Sequence, residues 1–359
     1  MGLAARILTW CAALSLLLGV SVVISAGIGP VSIPPVTTAK ILLGTVVVPT
    51  SISVSSGTGF LGLPVASVGF DPLVQFDVPQ TSRTIVRAIR LPRIVLGALV
   101  GCALATAGAV MQGFFRNPMA DPSIIGVSSG AAVGAVMAIT LPIPIGLRPA
   151  AFSTGLISAF GVYLLATENG RTPVATLLLA GVAVQTFLGA VISYLLVQSG
   201  QSLTRAVFWL MGHLHNATWE EAAFAGIVVP PLFFVLVYFS RDLNVLLLGE
   251  EDAATLGIEV ERTKRILLGV SSLITAGAVA VSGVIGFVGL IVPHVMRLLV
   301  GPDHRILLPT SAIAGAAFLV AADTVARAGV AEIPVGIVTA ALGAPFFLFL
   351  LRRREVHRL

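Results

Sequence analysis

Charge is scarce in this sequence. Its 359 residues include 21 Lys and Arg and 16 Asp and Glu, 10% in all, against roughly 25% in a soluble domain. Mean hydropathy is +1.02, which leaves too little polar surface to coat a water-soluble globule. A cytosolic enzyme and a disordered chain are both excluded. Cysteine is nearly absent. Cys11 and Cys102 are the only two, so a disulfide-stapled secreted domain is excluded as well. Each lies in an apolar run with no neighbour at redox or metal-ligand spacing, and both read as small buried hydrophobes. There is no H-E-x-x-H, no G-x-S-x-G and no P-loop, so no enzyme signature and no nucleotide site. No basic-aromatic module for nucleic acid is visible; the +5 net charge gathers at the ends of apolar segments, where lipid headgroups and docking proteins lie. No apolar span carries an ionisable residue near its middle, which counts against a proton- or sodium-coupled carrier. What remains is an all-α polytopic membrane protein.

Apolar runs of about 18 or more residues read as membrane-spanning helices. Here the runs are continuous and not alternating, which selects helices over a barrel. The first covers 7–28; with Arg6 before it, it also fits a signal peptide, but no clean A-x-A site follows. Further spans are expected near 94–115, 122–141, 149–167, 173–197 and 222–240. Ile266–Met296 holds 31 residues without a charge, too many for one comfortable helix and too few for two full ones. Ser282-Gly283 and Gly286 inside it predict two short helices joined by a tight bend. Spans near 306–325 and 334–351 bring the count to ten.

Ile41–Phe70 is also uncharged, but Pro49, Pro64 and the Ser/Gly/Thr cluster 51–59 break it. It reads as part of an extramembrane insertion, 31–80, packed on a single transmembrane domain; an eleventh span is the alternative and would separate the termini. Ten spans with both termini inside put thirteen of the 21 Lys and Arg on inner loops, as the positive-inside rule favours. Arg83, Arg87, Arg90 and Arg93 still cluster outside, where topology alone disfavours them.

Gly97-x-x-x-Gly101 and Gly126-x-x-x-Gly130-x-x-x-Gly134 place a small residue on every turn, so backbones can approach closely, within one bundle in preference to a dimer seam. Asp121 is placed to cap a helix start, and Asp323 and Arg327 have i,i+4 ion-pair spacing. His213 and His215 flank Leu214 on the outer side. At i,i+2 they do not share a helix face and read as interfacial polarity, or as transient axial ligands of a haem iron. His294 and His304 read as structural. In the inner loop 241–265, Glu250, Glu251 and Asp252 put negative charge at a helix start and Gly257 can take the C′ position, which predicts a short amphipathic helix, either an ordinary loop helix or a docking knob for a soluble partner.

Several motifs together resemble one family. Arg90-Leu-Pro-Arg93, Gly108-Ala-Val-Met-Gln-Gly, Arg116-Asn-Pro-Met-Ala-Asp121-Pro, Gly126-Val-Ser-Ser-Gly, Leu248-Gly-Glu-Glu, Gly286-Phe-Val-Gly-Leu-Ile-Val-Pro-His294, Gly301-Pro-Asp-His-Arg, Ala322-Asp-Thr-Val-Ala-Arg327 and Glu332-Ile-Pro-Val-Gly are similar to the permease subunits of iron-chelate and cobalamin ABC importers. The likeness runs from Ser82 to Arg354. It implies the type II importer fold: a homodimer of ten-helix subunits in a bacterial inner or plasma membrane, with two ATPase subunits beneath and a substrate-binding protein outside. By the same resemblance, Arg90, Arg93 and Arg327 face the binding protein; Gly249, Glu250, Glu251, Ala253, Leu256 and Gly257 belong to the helix that meets the ATPase; and Asn117, Met119, Val174 and Ala175 form the cytoplasmic gate. Val174 and Ala175 are apolar where the cobalamin importer has hydroxyl residues. The implied mechanism is alternating access, with ATP and Mg on the partner and no cofactor or metal held here. The spans offer no His/Cys/Asp cluster to pass a bare metal ion, so the expected cargo is a metal chelate. Gln-Gly-Phe-Phe-Arg-Asn-Pro with Gly-Pro-Asp-His-Arg looks most like haem permeases, with a ferric siderophore or cobalamin as alternatives.

Overall fold

The computed structural model describes residues 2–45, 47–55, 65–72, 74, 76–141, 144–329 and 331–352. Arg353, Arg354 and Arg358, counted above as inner cations, lie outside them, as do 56–59 of the Ser/Gly/Thr cluster.

Three helices rich in small residues form the centre: α4 (Leu91–Phe114), α12 (Val260–Ser282) and α14 (His304–Ala326). They come together because glycine removes the side chain where backbones cross. A Cβ on Gly101 would strike the carbonyl of Gly315, and one on Gly315 would strike Gly101 in turn. Similarly, Gly130 and Gly134 of α5 (Val127–Thr140) lie against Thr154 and its neighbours in α6 (Leu147–Ala166). The glycine repeats therefore serve packing inside one chain.

Around this centre stand helices that are apolar on every side, as lipid or a like surface requires. α1 (Leu3–Gly27), α6, α7 (Val174–Gln198) and α9 (Trp219–Tyr238) expose Leu16, Phe160, Phe187 and Phe234 among others. Among the described residues, seven helical stretches are long and apolar enough to cross a membrane: α1, α6, α7, α9, α12, α14 and one unbroken 35-residue stretch, Gln80–Phe114. That stretch joins α3 (Gln80–Thr84), a π-turn over Ile85–Arg90, and α4. Three shorter apolar helices, α5, α13 (Val288–Val300) and α15 (Val335–Arg352), complete the ten expected spans.

One detail departs from expectation. The 266–296 stretch is not two short helices. α12 begins six residues earlier, at Val260, and takes Glu261, Arg262, Lys264 and Arg265 into its first turns, so it is full length and only α13 is short. Charges were expected to end the helix, but Lys264 is paired and the others stay at its foot. The bend between α12 and α13 turns at Gly283 (φ 69°), whose Cβ would meet the Trp209 carbonyl, and at Phe287 (φ 69°). The 31–80 segment contains α2 (Pro35–Leu43) and an antiparallel hairpin, β1 (Val47–Ser55) with β2 (Val65–Pro72), paired from Val47 with Pro72 to Ser55 with Val65. Neither is a membrane-length helix. Ile33 and Ile41 are buried with Ala26 of α1, Val86 of the π-turn and Val320 of α14.

Candidate functional site

The end of the bundle that the positive-inside count assigns to the outside, its outer end, gathers the cations that topology disfavours. α1 stops at Gly27, leaving its last carbonyls without helical partners. Arg90 Nη1 donates to Ala26 O at 2.6 Å and Nη2 to Val31 O; Arg327 Nη2 donates to Ser25 O at 2.7 Å and Nη1 to Ile28 O at 3.3 Å. Arg83 reaches Phe76 O (3.0 Å), and Arg87 reaches Gly44 O. A cation at a helix C-terminus is favoured by the helix dipole; Arg87, Arg90 and Arg327 clamp the 25–44 segment to the bundle, and Arg83 holds Phe76. The π-turn aims them: Leu91 N–H bonds Val86 O, five residues back, and the widened turn buries both Val86 and Arg90. Arg93 makes the strongest contact. It grips Asp323 through Nε (2.9 Å to Oδ2) and Nη2 (2.7 Å to Oδ1), and its Nη1 pairs with Glu332. Arg327 Nε adds a longer contact to Asp323, 3.4 Å. Arg90 is 4% exposed and Arg93 and Arg327 each 8%, so the three residues expected at the docking face are brought together, but with their donors turned into the chain.

Beside them lies an outer cavity of about 1030 Å³ lined by Arg148, Phe152, Trp209, His213, His215 and Glu220, among others. The backbone after α8 (Leu203–Leu210) is not helical, which is why residues at i,i+2 meet: the two imidazole centroids are 4.4 Å apart. His213 N–H is held by Ser282 O at 2.7 Å. Burial, then the neighbouring His215 and Arg93, push the His213 ring down to about 4, so it is neutral at physiological pH. Among the described residues no three His, Cys, Asp or Glu side chains cluster as a metal site.

At the inner end, α10 (Ser240–Leu246) leads to α11 (Glu250–Thr255). Gly257 (φ 86°) takes the C′ position: its N–H bonds Ala254 O and the Ile258 N–H bonds Ala253 O, both at 3.0 Å, a Schellman close. Ala253 is buried, while Leu248 and Leu256 are 63% and 62% exposed beside the carboxylates of Glu250, Glu251 and Asp252. This is an acidic, leucine-tipped knob. Of the expected gate residues, Val174 and Ala175 share a cavity of about 550 Å³ with Arg116, Glu250 and Lys264. Met119 instead lies with His294 and Phe346 in a separate small pocket, and Asn117 accepts the Met119 N–H at 2.9 Å. A single chain does not bring the four together.

Two staples escaped sequence reasoning. Gln112 donates to Leu290 O (2.9 Å) and accepts from Arg297 (2.7 Å), joining α4 to α13; Asn244 accepts from both the backbone N–H and the ring of His304 (2.9 and 2.8 Å) and donates to Asp303 (2.7 Å), joining α10 to α14. Asp121, as expected, caps a turn by accepting from Ser123 N at 2.9 Å.

Known proteins match this chain over three quarters of its length or more. A cobalamin import system permease protein of Halobacterium salinarum is 58% identical over 364 residues, covering 99% of both chains. A hemin transport system permease protein of Yersinia pestis is 42% identical over 279 residues, covering 75% of this chain and 84% of its own. A solved inward-facing structure assigned to the metal-chelate type of ABC transporter superposes with a TM-score of 0.78 at 32% identity, covering 96% of this chain and 98% of that one. With ten apolar helices, an acidic inner knob and a match to the family model over residues 16–353, the chain belongs to the FecCD transport family of ABC importer permeases.

Proposed function

We propose that this chain is the membrane conduit of an ATP-driven importer whose cargo is a cobalamin-type corrinoid. The observation that carries the cargo is the end-to-end match to a cobalamin import permease: 99% of this chain aligns, so the 31–80 segment aligns too, whereas the hemin relative covers 75%. Haem is the second reading, favoured by the paired rings of His213 and His215 in the outer cavity. The motif that suggested haem is weak support. Gln112 and Arg116 contact backbone carbonyls of α13 and α10, and Asp303 and His304 bind Asn244, so these residues hold helices together at the inner end and do not line the outer cavity.

Two such chains surround a central pathway, and ATP and Mg sit on a separate subunit. The knob with Leu248 and Leu256 offers that subunit an apolar, acidic contact, and the face over Arg90, Arg93 and Arg327 receives the binding protein. Alternating access follows when the partner's nucleotide cycle moves the knob and the gate residues change sides. The test is ATP hydrolysis by the complex reconstituted with its binding protein, titrated with cobalamin and with haemin. Stimulation by cobalamin alone supports the assignment; stimulation by haemin alone replaces it with the second reading.

A further inference from the structure

We propose that Lys264 and Arg116 are positioning residues that tie the partner-facing knob to the two loops carrying the gate, so that movement of one drags the other; this rests on the reading above of 249–257 as the ATPase contact.

The first tie crosses α12. Lys264 is only 3% exposed at its side chain, and its Nζ donates to Glu250 of the knob (3.1 Å) and to Glu261 (2.9 Å). The other oxygen of Glu261 accepts the backbone N–H of Thr172 at 3.2 Å. Thr172 is buried and stands two residues before Val174, where α7 begins. A line of charge-assisted contacts thus runs from α11 through the foot of α12 to the gate loop. The second tie is Arg116, whose Nη2 donates to Leu246 O at 2.8 Å, three residues before Gly249. Arg116 precedes Asn117 and holds a left-handed backbone (φ 47°), uncommon for a residue with a Cβ.

Apolar packing cannot do this work. In α11 only Ala253 is buried, and the cavity of about 550 Å³ lies between the knob and Val174–Ala175. Across such a space a loop can shift without displacing its neighbour, and the bridging side chains transmit what packing does not. A buried ammonium is costly unless fully paired, and a well-packed apolar residue would serve stability as well or better. The pairing gives position: two carboxylates on different elements are held to one nitrogen.

The experiment uses the whole complex of permease, ATPase and binding protein in proteoliposomes, with Lys264→Met and Arg116→Gln. Neither residue lies on the knob itself, so ATPase affinity should stay at the wild-type value. Cargo moved per ATP hydrolysed should fall about tenfold in Arg116→Gln, the change expected on losing one charge-assisted hydrogen bond, and by more in Lys264→Met, which loses two, while hydrolysis continues. Hydrogen exchange supplies the readout that a purely structural role would not move: nucleotide binding to the ATPase should alter protection of both 169–176 and 116–121 in the wild type, leaving 169–176 unaltered in Lys264→Met and 116–121 unaltered in Arg116→Gln. Wild-type cargo per ATP with an intact nucleotide response in Arg116→Gln overturns the proposal, even if Lys264→Met fails to fold. If the unmodified complex shows no cargo-stimulated hydrolysis, the functional reading itself fails and the ties fall with it.

Discussion

Replacing Asp323 by Asn should destabilise the chain more than any other single-atom exchange on its outer end. Asp323 is 2% exposed and receives Arg93 through two nitrogens, at 2.9 and 2.7 Å, with Arg327 at 3.4 Å. The amide keeps the shape but removes the charge, leaving two buried guanidiniums with Glu332 as their remaining carboxylate. Removing one partner of a buried pair costs about 3–5 kcal/mol. Glu332 still neutralises one cation, so the low end, about 3 kcal/mol or roughly a hundredfold in the unfolding equilibrium, is expected. The assay is SDS-induced unfolding in detergent, followed by tryptophan fluorescence. A double variant, Arg93→Gln with Asp323→Asn, should cost less than the sum of the two single changes, because the second removes a charge already orphaned by the first. A loss under about 1 kcal/mol for Asp323→Asn would refute the reasoning, since it lies within the range of ordinary surface substitutions.

Other outcomes follow from the same geometry. Gly315→Val places a side chain against the Gly101 backbone, and the loss of monodisperse protein in size-exclusion chromatography should accompany it, whereas wild-type behaviour would mean that α4 and α14 can separate freely. Protonating His213 should loosen the outer loop. Its folded value near 4 lies below the ordinary 6.5, so the stability given by the neutral ring is full above about pH 6.5 and is lost as pH falls toward 4. His213→Gln should flatten that part of the thermal-stability profile, and an unchanged slope would assign it to another group. Reversing charge at Arg90 and Arg327 together should weaken binding-protein docking while ATPase assembly survives; unchanged docking affinity leaves the pair only as clamps on α1.

The ten spans were legible because bilayer thickness converts directly into apolar run length. The same logic misplaced the foot of α12, since treating charges as boundaries ignores that Lys264 can be neutralised by Glu250 and Glu261. Local pairings were readable and remote ones were not. The i,i+4 spacing found Asp323 with Arg327, yet the shorter contacts of Asp323 go to Arg93, 230 residues away. The clustered outer arginines signalled a purpose, but the carbonyls they meet belong to the end of α1 and the segment after it, which no spacing rule connects to them. Helix geometry separates His213 and His215 at i,i+2, and they meet because that backbone is not helical. Gly257 was read correctly from sequence because a C′ glycine is a local requirement.

The central claim is that energy enters through a different polypeptide. Proteoliposomes containing the purified chain and its binding protein should be loaded with a proton or sodium gradient, and cargo uptake measured with and without the partner ATPase and ATP. Uptake that appears only when the ATPase and ATP are both present is the predicted result. Accumulation by this chain alone, driven by the ion gradient, would contradict the account.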